Sequence, residues 1–394
     1  MAEGSKPLKA AFLLNNLHGG GAERVVLNLA EGFRREGWAS DLLLARKEGH
    51  YLNQIPDGLS VHAFNTRTPV GSFFKLLGYL RREQPDVLFS FLPRENLVAL
   101  LAKKWLRPAT RFCVSEQNTP SEVLKISPWY YALAYRWTVR HLYPSADGLV
   151  AVSHGVSQDL HQVFGLEEGR IRVIYNPLIG PEVARRAAES LDDPWHRDRS
   201  SPLLLAVGRL EPQKDFFTLL NAFVEIRRVR PCRLLILGEG SLRGPLEARI
   251  RELGAEGQVR MPGFVDNPYA WMARAEVMVL SSVTEGLCNV IAETVACGTT
   301  VVSTDCPHGP WEVLEGGRVG YLTPVGSPKQ LAETVLRALE SPIDPALLRK
   351  KAAEFDRNER IRDYARIAAG LCRTEDSSDK KLSSSEAISS QLRP

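Results

Sequence analysis

The stretch VMVLSSVTEGLCNVIAE, residues 277–293, decides how the rest of the chain is read. Its first five residues, 277–281, are a short apolar run of the length expected for a buried strand. A loop follows, and then a helical pattern. Glu285 falls in the loop, and Glu293 falls about one turn into the helix. One carboxylate therefore stands at each end of the backbone of Gly286, Leu287, Cys288 and Asn289, which forms the helix start. Free N–H groups at a helix N-terminus can hold a phosphate, while flanking carboxylates accept hydrogen bonds from sugar hydroxyls. Two glutamates eight residues apart mean little in isolation. The strand–loop–helix setting makes this pair a candidate site.

The same pattern recurs on both sides of this stretch. Further strands are expected at 203–207, 233–237, 259–261 and 300–303. In the first half they are expected at 10–14, 42–45, 86–91, 111–115, 148–153 and 172–175, with helices over 22–36 and 96–105. Alternating short apolar runs and amphipathic stretches predict parallel α/β units. The reading is an α/β protein of two Rossmann-like, doubly wound domains facing a central cleft. Its divisions are a first domain at 1–178, a charged connector at 179–202, a second domain at 203–345 and a helical segment at 346–373. The tail 374–394 has seven serines and is expected to be disordered.

In such sheets ligands bind outside the carboxyl ends of the strands, so the loops after strands carry the information. Gly19-Gly20-Gly21 follows the first strand and opens a helix, where side-chain-free residues permit close approach of a ligand. It lacks the spacing of the dinucleotide fingerprint, and a merely tight turn explains it equally well. Arg209 and Lys214 follow the strand 203–207. A planar fork and a point charge there can neutralise a diphosphate from two sides, whereas the ordinary reading is a solvated loop. Cys306-Pro307-His308-Gly309-Pro310-Trp311-Glu312 is a rigid loop whose Glu312 is placed to face the cleft.

The chain has 394 residues, 44% of them apolar and 24% charged, an ordinary globular mix. No apolar run approaches the roughly 18 residues of a spanning helix. The run 10–14 is too short for a secretory core segment, so a cytoplasmic protein is expected. Six scattered cysteines without CxxC or metal spacing argue against a disulfide framework or structural zinc. The net charge is +4, but residues 103–143 alone hold seven bases against two acids, with eight of the chain's 31 aromatics. Whole-chain basicity is too weak for a nucleic-acid partner. Two readings of the patch remain open. It is an anionic membrane surface contact, or a pair of amphipathic helices whose aromatics are core.

Taken together, GGGAERVVLNLA (19–30), ADGLVAVSHGVSQDL (146–160), VIYNP (173–177), AVGRLEPQKDFFTLLNAF (206–223), LLILGEG (234–240), EGLCNVIAE (285–293) and GYLTPVGSP (320–328) resemble the retaining glycosyltransferases of family 4, which adopt the GT-B fold. STDCPHGPWEVL (303–314) is most similar to the branch that builds bacterial lipid-linked oligosaccharides and surface polysaccharides. The resemblance implies transfer of a hexose or N-acetylhexosamine from a nucleotide-diphosphate sugar, with UDP as the expected nucleotide. The acceptor would be a glycan or a polyprenyl-diphosphate-linked glycan. By position, Arg209 and Lys214 would bind the donor diphosphate, Glu293 the ribose hydroxyls and Glu285 the transferred sugar. Gly286, Leu287, Cys288 and Asn289 would supply N–H groups, and Gly20 and Gly21 would let the first domain close over the phosphates. Many family members carry a histidine in a first-domain loop where this chain reads Ser115-Glu116-Gln117-Asn118, so Gln117 or Asn118 becomes the neutral substitute on the acceptor or anomeric side.

The charge set, with no DxD in a strand-end loop, implies metal-independent transfer without a cofactor. Peripheral contact with the inner face of the cytoplasmic membrane through 103–143 is the associated expectation. Two other functions fit the same fold. One is a nucleotide-sugar 2-epimerase, and the other is a non-catalytic nucleotide-sugar-binding partner subunit.

Overall fold

The computed structural model describes residues 6–389, with side chains described for 6–373. Seven parallel strands form the first sheet: β1 (Lys9–Leu14), β2 (Ala39–Leu44), β3 (Ser60–Ala63), β4 (Val87–Ser90), β5 (Arg111–Glu116), β6 (Gly148–Ala151) and β7 (Ile171–Val173). Their spatial order is β3-β2-β1-β4-β5-β6-β7. Its helices are α1 (Gly21–Arg35), α2 (Pro69–Glu83), α3 (Pro93–Leu106), α4 (Pro120–Ile126), α5 (Trp129–His141) and α6 (His154–Gln162). The connector holds two short helices, α7 (Pro181–Ala187) and α8 (Pro194–Arg197).

Six parallel strands form the second sheet: β8 (Leu203–Val207), β9 (Arg233–Leu237), β10 (Val259–Gly263), β11 (Val277–Leu280), β12 (Thr300–Thr304) and β13 (Tyr321–Thr323), in the order β10-β9-β8-β11-β12-β13. Helices α9 (Phe216–Val229), α10 (Arg243–Glu252), α11 (Pro268–Arg274), α12 (Asn289–Ala296), α13 (Gly309–Val313) and α14 (Pro328–Glu340) cover it. They are followed by α15 (Pro345–Ala352) and α16 (Arg357–Ser389). The expectation of a disordered tail at 374–394 falls on residues whose side chains, and beyond 389 whose backbone, lie outside those described.

The inner strands of both sheets are buried on two faces, so several of them are near-continuous apolar runs rather than alternating ones. Leu203, Leu204, Leu205 and Ala206 of β8 are all inaccessible. In the first sheet Phe12, Phe33 and Phe89 interlock at centroid distances of 5.3–5.6 Å. Aromatic pairs of this kind add about 0.5–1.5 kcal/mol each beyond their area burial. Polar caps set the helix starts that face the cleft. Ser153 Oγ accepts from Val156 N at the start of α6, and Asp215 Oδ1 accepts from Thr218 N at the start of α9.

The chain crosses between domains twice at one place. The N–H groups of Leu178 and Ile179 both bond the Phe355 carbonyl, and Arg357 pairs with Glu182. After this second crossing α16 packs back on the first domain. Tyr364 is fully buried, and its hydroxyl lies 2.9 Å from Ser115 Oγ on β5. The helical segment anticipated after residue 345 thus belongs spatially to both domains.

The order of strands reverses between β1 and β4 in one sheet and between β8 and β11 in the other. A crevice opens outside the carboxyl ends of the strands at such switch points. The loops after β1, β8 and β11 are those singled out in the sequence. The two crevices face each other.

Candidate functional site

A cavity of about 290 Å³ lies between the two switch points. Every candidate residue except Glu312 lines it: Gly20, Gly21, Gln117 and Asn118 from the first domain, and Arg209, Lys214, Glu285, Gly286, Leu287, Cys288, Asn289 and Glu293 from the second.

The loops after β8 and β11 are fastened to each other. Val283 N donates to the Gln213 carbonyl at 2.9 Å, Gln213 Nε2 to the Thr284 carbonyl at 2.8 Å, and Ser281 Oγ to the Lys214 carbonyl at 2.8 Å. This lacing brings the Lys214 ammonium onto the Glu285 carboxylate as an ion pair. Burial works against the ammonium, but the adjacent Glu285 outweighs it and raises the Lys214 pKa above that of an ordinary lysine. Arg209 is exposed to the cleft, and among the described residues it makes no salt bridge.

The start of α12 is shaped from both domains. Thr119 Oγ1 donates to the Glu285 carbonyl at 2.8 Å, and Ser153 Oγ donates to the Gly286 carbonyl at 2.9 Å. Cys288, the N-cap, sits in the left-handed region at φ 66°, an uncommon conformation for a residue with a Cβ. Among the described residues the N–H groups of 286–290 have no protein acceptor. Free N–H groups at a helix start can hold an anion, and Arg209 and Lys214 line the same cavity.

Glycine is required where the domains meet. A Cβ on Gly286 would lie 2.2 Å from the Gln117 carbonyl oxygen, and one on Gly21 would lie 2.7 Å from Asn289 Nδ2. Any side chain at Gly286 would therefore wedge the cleft open.

The Gln117 loop is held from beneath. Gln117 Nε2 donates to Ser115 Oγ at 2.9 Å, and Asn176 Nδ2 donates both to Gln117 Oε1 at 3.1 Å and to Asn289 Oδ1 at 2.8 Å. The Gln117 amide is thus engaged at both ends by the protein. Asn118 N donates to Glu116 Oε1, while the Tyr143 hydroxyl donates to Glu116 Oε2. Complete burial pushes the Glu116 carboxyl up to about 7.

Glu312 departs from its expected place. Its carboxylate accepts from His154 N at 2.9 Å and Gly155 N at 3.1 Å, capping α6 across the domain boundary. A carboxylate is drawn to a helix N-terminus, and this contact holds Glu312 outside the cavity lining. The rigid Pro-Gly loop fixes its reach but not the direction in which the side chain points.

Several cleft residues carried no role in the sequence reading. Arg24 of α1 bonds Glu293, Tyr269 approaches the same carboxylate, and Asn176 bridges the halves. Arg24 and Asn176 do stand within the quoted stretches 19–30 and 173–177. In 173–177 Asn176 stands out as a polar side chain among apolar neighbours, whereas Arg24 shares 19–30 with Glu23 and Asn28 and carries no such signal.

The basic-aromatic stretch divides between the two readings left open. Phe112, Tyr135 and Tyr143 are core, whereas Trp105, Trp129, Tyr130 and Trp137 are exposed. Lys103 is committed to Asp147, while Lys104, Arg107, Arg136 and Arg140 are exposed.

Residues 19–178 match the profile of Glycosyltransferase Family 4, and residues 201–341 match that of Glycosyl transferases group 1. An N-acetylgalactosamine-N,N'-diacetylbacillosaminyl-diphospho-undecaprenol 4-alpha-N-acetylgalactosaminyltransferase of Campylobacter jejuni is 30% identical over 92% of this chain and 100% of its own length. The lipopolysaccharide core biosynthesis glycosyltransferase LpsE of Rhizobium meliloti is 26% identical over 89% of this chain and 93% of its own. Among solved structures, Anabaena HepE in complex with UDP-glucose superposes with a TM-score of 0.71 at 19% identity. It covers 94% of this chain and 100% of its own. The two-domain arrangement is the GT-B fold.

Proposed function

Because the chain belongs to glycosyltransferase family 4, its second half matching the group 1 glycosyltransferases, we propose that this hexosyltransferase moves a hexose or N-acetylhexosamine from a UDP-linked donor to a polyprenyl-diphosphate-linked glycan. The observation that carries this reading is the convergence at one cavity of Arg209, the Lys214–Glu285 pair and the N–H groups of 286–290, which are unpartnered among the described residues.

Breaking a sugar–diphosphate bond places negative charge on the leaving group. Arg209, Lys214 and the start of α12 form a preorganised positive surface for it. Lys214 also ties down Glu285, so the carboxylate is held as an acceptor for hydroxyls of the transferred sugar. Glu293, farther along α12, takes the ribose hydroxyls. Val207, Leu237, Phe264 and Val265 supply apolar wall for the base. The charge needed at the leaving group is supplied by side chains and backbone, which supports transfer without a metal ion. Retention of the anomeric configuration is part of this reading, as the resemblance to the retaining family 4 enzymes implies.

Two observations support the acceptor side of this reading. The Campylobacter relative is named for a diphospho-undecaprenol substrate. The first domain also exposes Ile126, Trp129, Tyr130, Leu133 and Trp137 on α4 and α5 beside Arg136 and Arg140, and Val70, Phe74 and Trp105 rim an apolar groove between α2 and α3. No described helix is long and apolar enough to cross a membrane. Tryptophan, tyrosine and basic residues together suit peripheral contact with anionic lipid.

A thermal-shift screen of UDP-, GDP- and TDP-linked sugars tests the donor assignment. A donor present at 100 times its Kd stabilises by about 2.7 kcal/mol. One UDP-sugar should raise the Tm and be slowly hydrolysed without acceptor, whereas silence across the panel contradicts the reading.

A further inference from the structure

Arg24 lies on α1 of the first domain, yet its guanidinium is spent on the second. Nη1 donates to Glu293 Oε1 at 3.0 Å and to the Tyr269 hydroxyl at 2.9 Å, and the Tyr269 hydroxyl stands 3.3 Å from the same Oε1. The guanidinium carbon is 5.2 Å from the ring centroid of Tyr51 and 5.6 Å from that of Tyr269. One ring comes from each domain. The side chains of Arg24 and Glu293 are only 15% and 9% exposed, and among the described residues Arg24 is the one cation paired with Glu293.

A pair buried this deeply is costly unless geometry and further hydrogen bonds compensate, and removing one partner strands the other charge. Structural ion pairs usually join neighbouring elements of one domain. This one spans the cleft, and both of its members line the cavity. Burial works against the Arg24 charge, but Glu293 overrides it and raises its pKa further, so Arg24 is a permanent cation there. Both described bonds to the Glu293 carboxylate end on Oε1, leaving Oε2 for a ligand hydroxyl.

We infer that Arg24 is a positioning residue for nucleotide recognition: it reaches across the closed cleft and aims the Glu293 carboxylate at the ribose hydroxyls of the donor. Ribose recognition then requires both domains. Closure delivers the counter-charge to Glu293, and a bound ribose in turn favours closure, as linkage demands. The inference rests on Glu293 as the ribose ligand, and the test separates the two.

Binding of UDP and 2′-deoxy-UDP is measured by calorimetry for the full chain, Arg24→Lys, Arg24→Met and Glu293→Gln. The unaltered protein should prefer UDP by about tenfold or more, because a site built to bond a hydroxyl rejects the analogue lacking it. Arg24→Met should weaken UDP binding by about tenfold and reduce the preference to less than about twofold. Arg24→Lys should recover part of both. Adding Arg24→Met to Glu293→Gln should cost much less than Arg24→Met alone, since the two act as one unit. A merely structural Arg24 would weaken both nucleotides equally and keep the preference, which overturns the inference. Tighter UDP binding by Arg24→Met would also overturn it, by making Arg24 a competitor of ribose. If Glu293→Gln kept the full preference for UDP, the ribose role of Glu293 would fall first and the inference with it. Should Arg24→Met fail to fold, the UDP preference of Arg24→Lys decides alone: a value equal to that of the unaltered protein overturns the inference.

Discussion

The Lys214 ammonium and the Glu285 carboxylate form a salt bridge at the mouth of the second-domain switch point, although they come from loops after two different strands. Two groups with separate sequence-based roles, diphosphate binding and sugar binding, are therefore one electrostatic unit. Arg209 stands apart and exposed.

This difference predicts unequal consequences for two substitutions that the sequence alone treats alike. Arg209→Ala and Lys214→Ala should each lower turnover by about two orders of magnitude or more, as removal of a preorganised charge-stabilising donor does. Only Lys214→Ala should also reduce stability, by about 3 kcal/mol, because it leaves Glu285 buried without its cation. Steady-state kinetics and urea denaturation of both variants check this. Equal stability in the two would contradict the pairing.

The two glutamates should separate kinetically. Glu293→Gln should chiefly weaken donor binding, since ribose contacts are alike in ground and transition states. Glu285→Gln should chiefly lower kcat, because it touches the sugar whose charge changes. Measuring kcat and KM for the donor in both variants checks the assignment, and the reverse pattern would exchange the roles.

How much of this was legible beforehand follows from what each feature depends on. The strands β8, β9 and β11 are near-continuous apolar runs because both faces of a parallel sheet are buried, so periodicity finds them. The edge strands β3 (Ser60–Ala63) and β13 (Tyr321–Thr323) escaped, being short, partly exposed and less apolar. The lining residues were legible because strand-end loops must face the crevice. Glu312 was not, since its direction is set by His154 and Gly155 of the other domain. Arg24 was missed for the same reason: its partners Glu293 and Tyr269 are more than 240 residues away in the chain.

Stability should carry a pH signature from Glu116. Burial raises its folded-state carboxyl from the ordinary 4.5 to about 7. Between these values the unfolded chain releases the proton while the folded protein keeps it, so this group lowers stability as pH rises from 4.5 to 7. At about 1.4 kcal/mol per pH unit the effect over this window is at most about 3–4 kcal/mol. Glu116→Gln removes that slope, so its stability relative to the unaltered protein should improve steadily across the window. Parallel stability–pH profiles would show that Glu116 is ionised in the fold.

Membrane contact should depend on the exposed bases and not on Lys103, which is held by Asp147. Replacing Lys104, Arg107, Arg136 and Arg140 together with Glu should abolish cosedimentation with phosphatidylglycerol vesicles while leaving donor hydrolysis intact. Binding should weaken with salt and be absent on phosphatidylcholine. Retained binding by the fourfold variant would assign the patch to another role.

The most direct test of the central claim, that the cleft between the two switch points transfers a sugar from a nucleotide donor to a lipid-linked acceptor, is a chase of radiolabelled UDP-sugars into a polyprenyl-diphosphate-linked glycan. It is run with and without chelator, for the unaltered protein and for Glu285→Gln. Label from one donor should pass into the lipid fraction at the same rate in both buffers, and Glu285→Gln should reduce it by about a hundredfold. Label remaining wholly in the aqueous phase for every donor, or transfer by Glu285→Gln at the full rate, would contradict the claim.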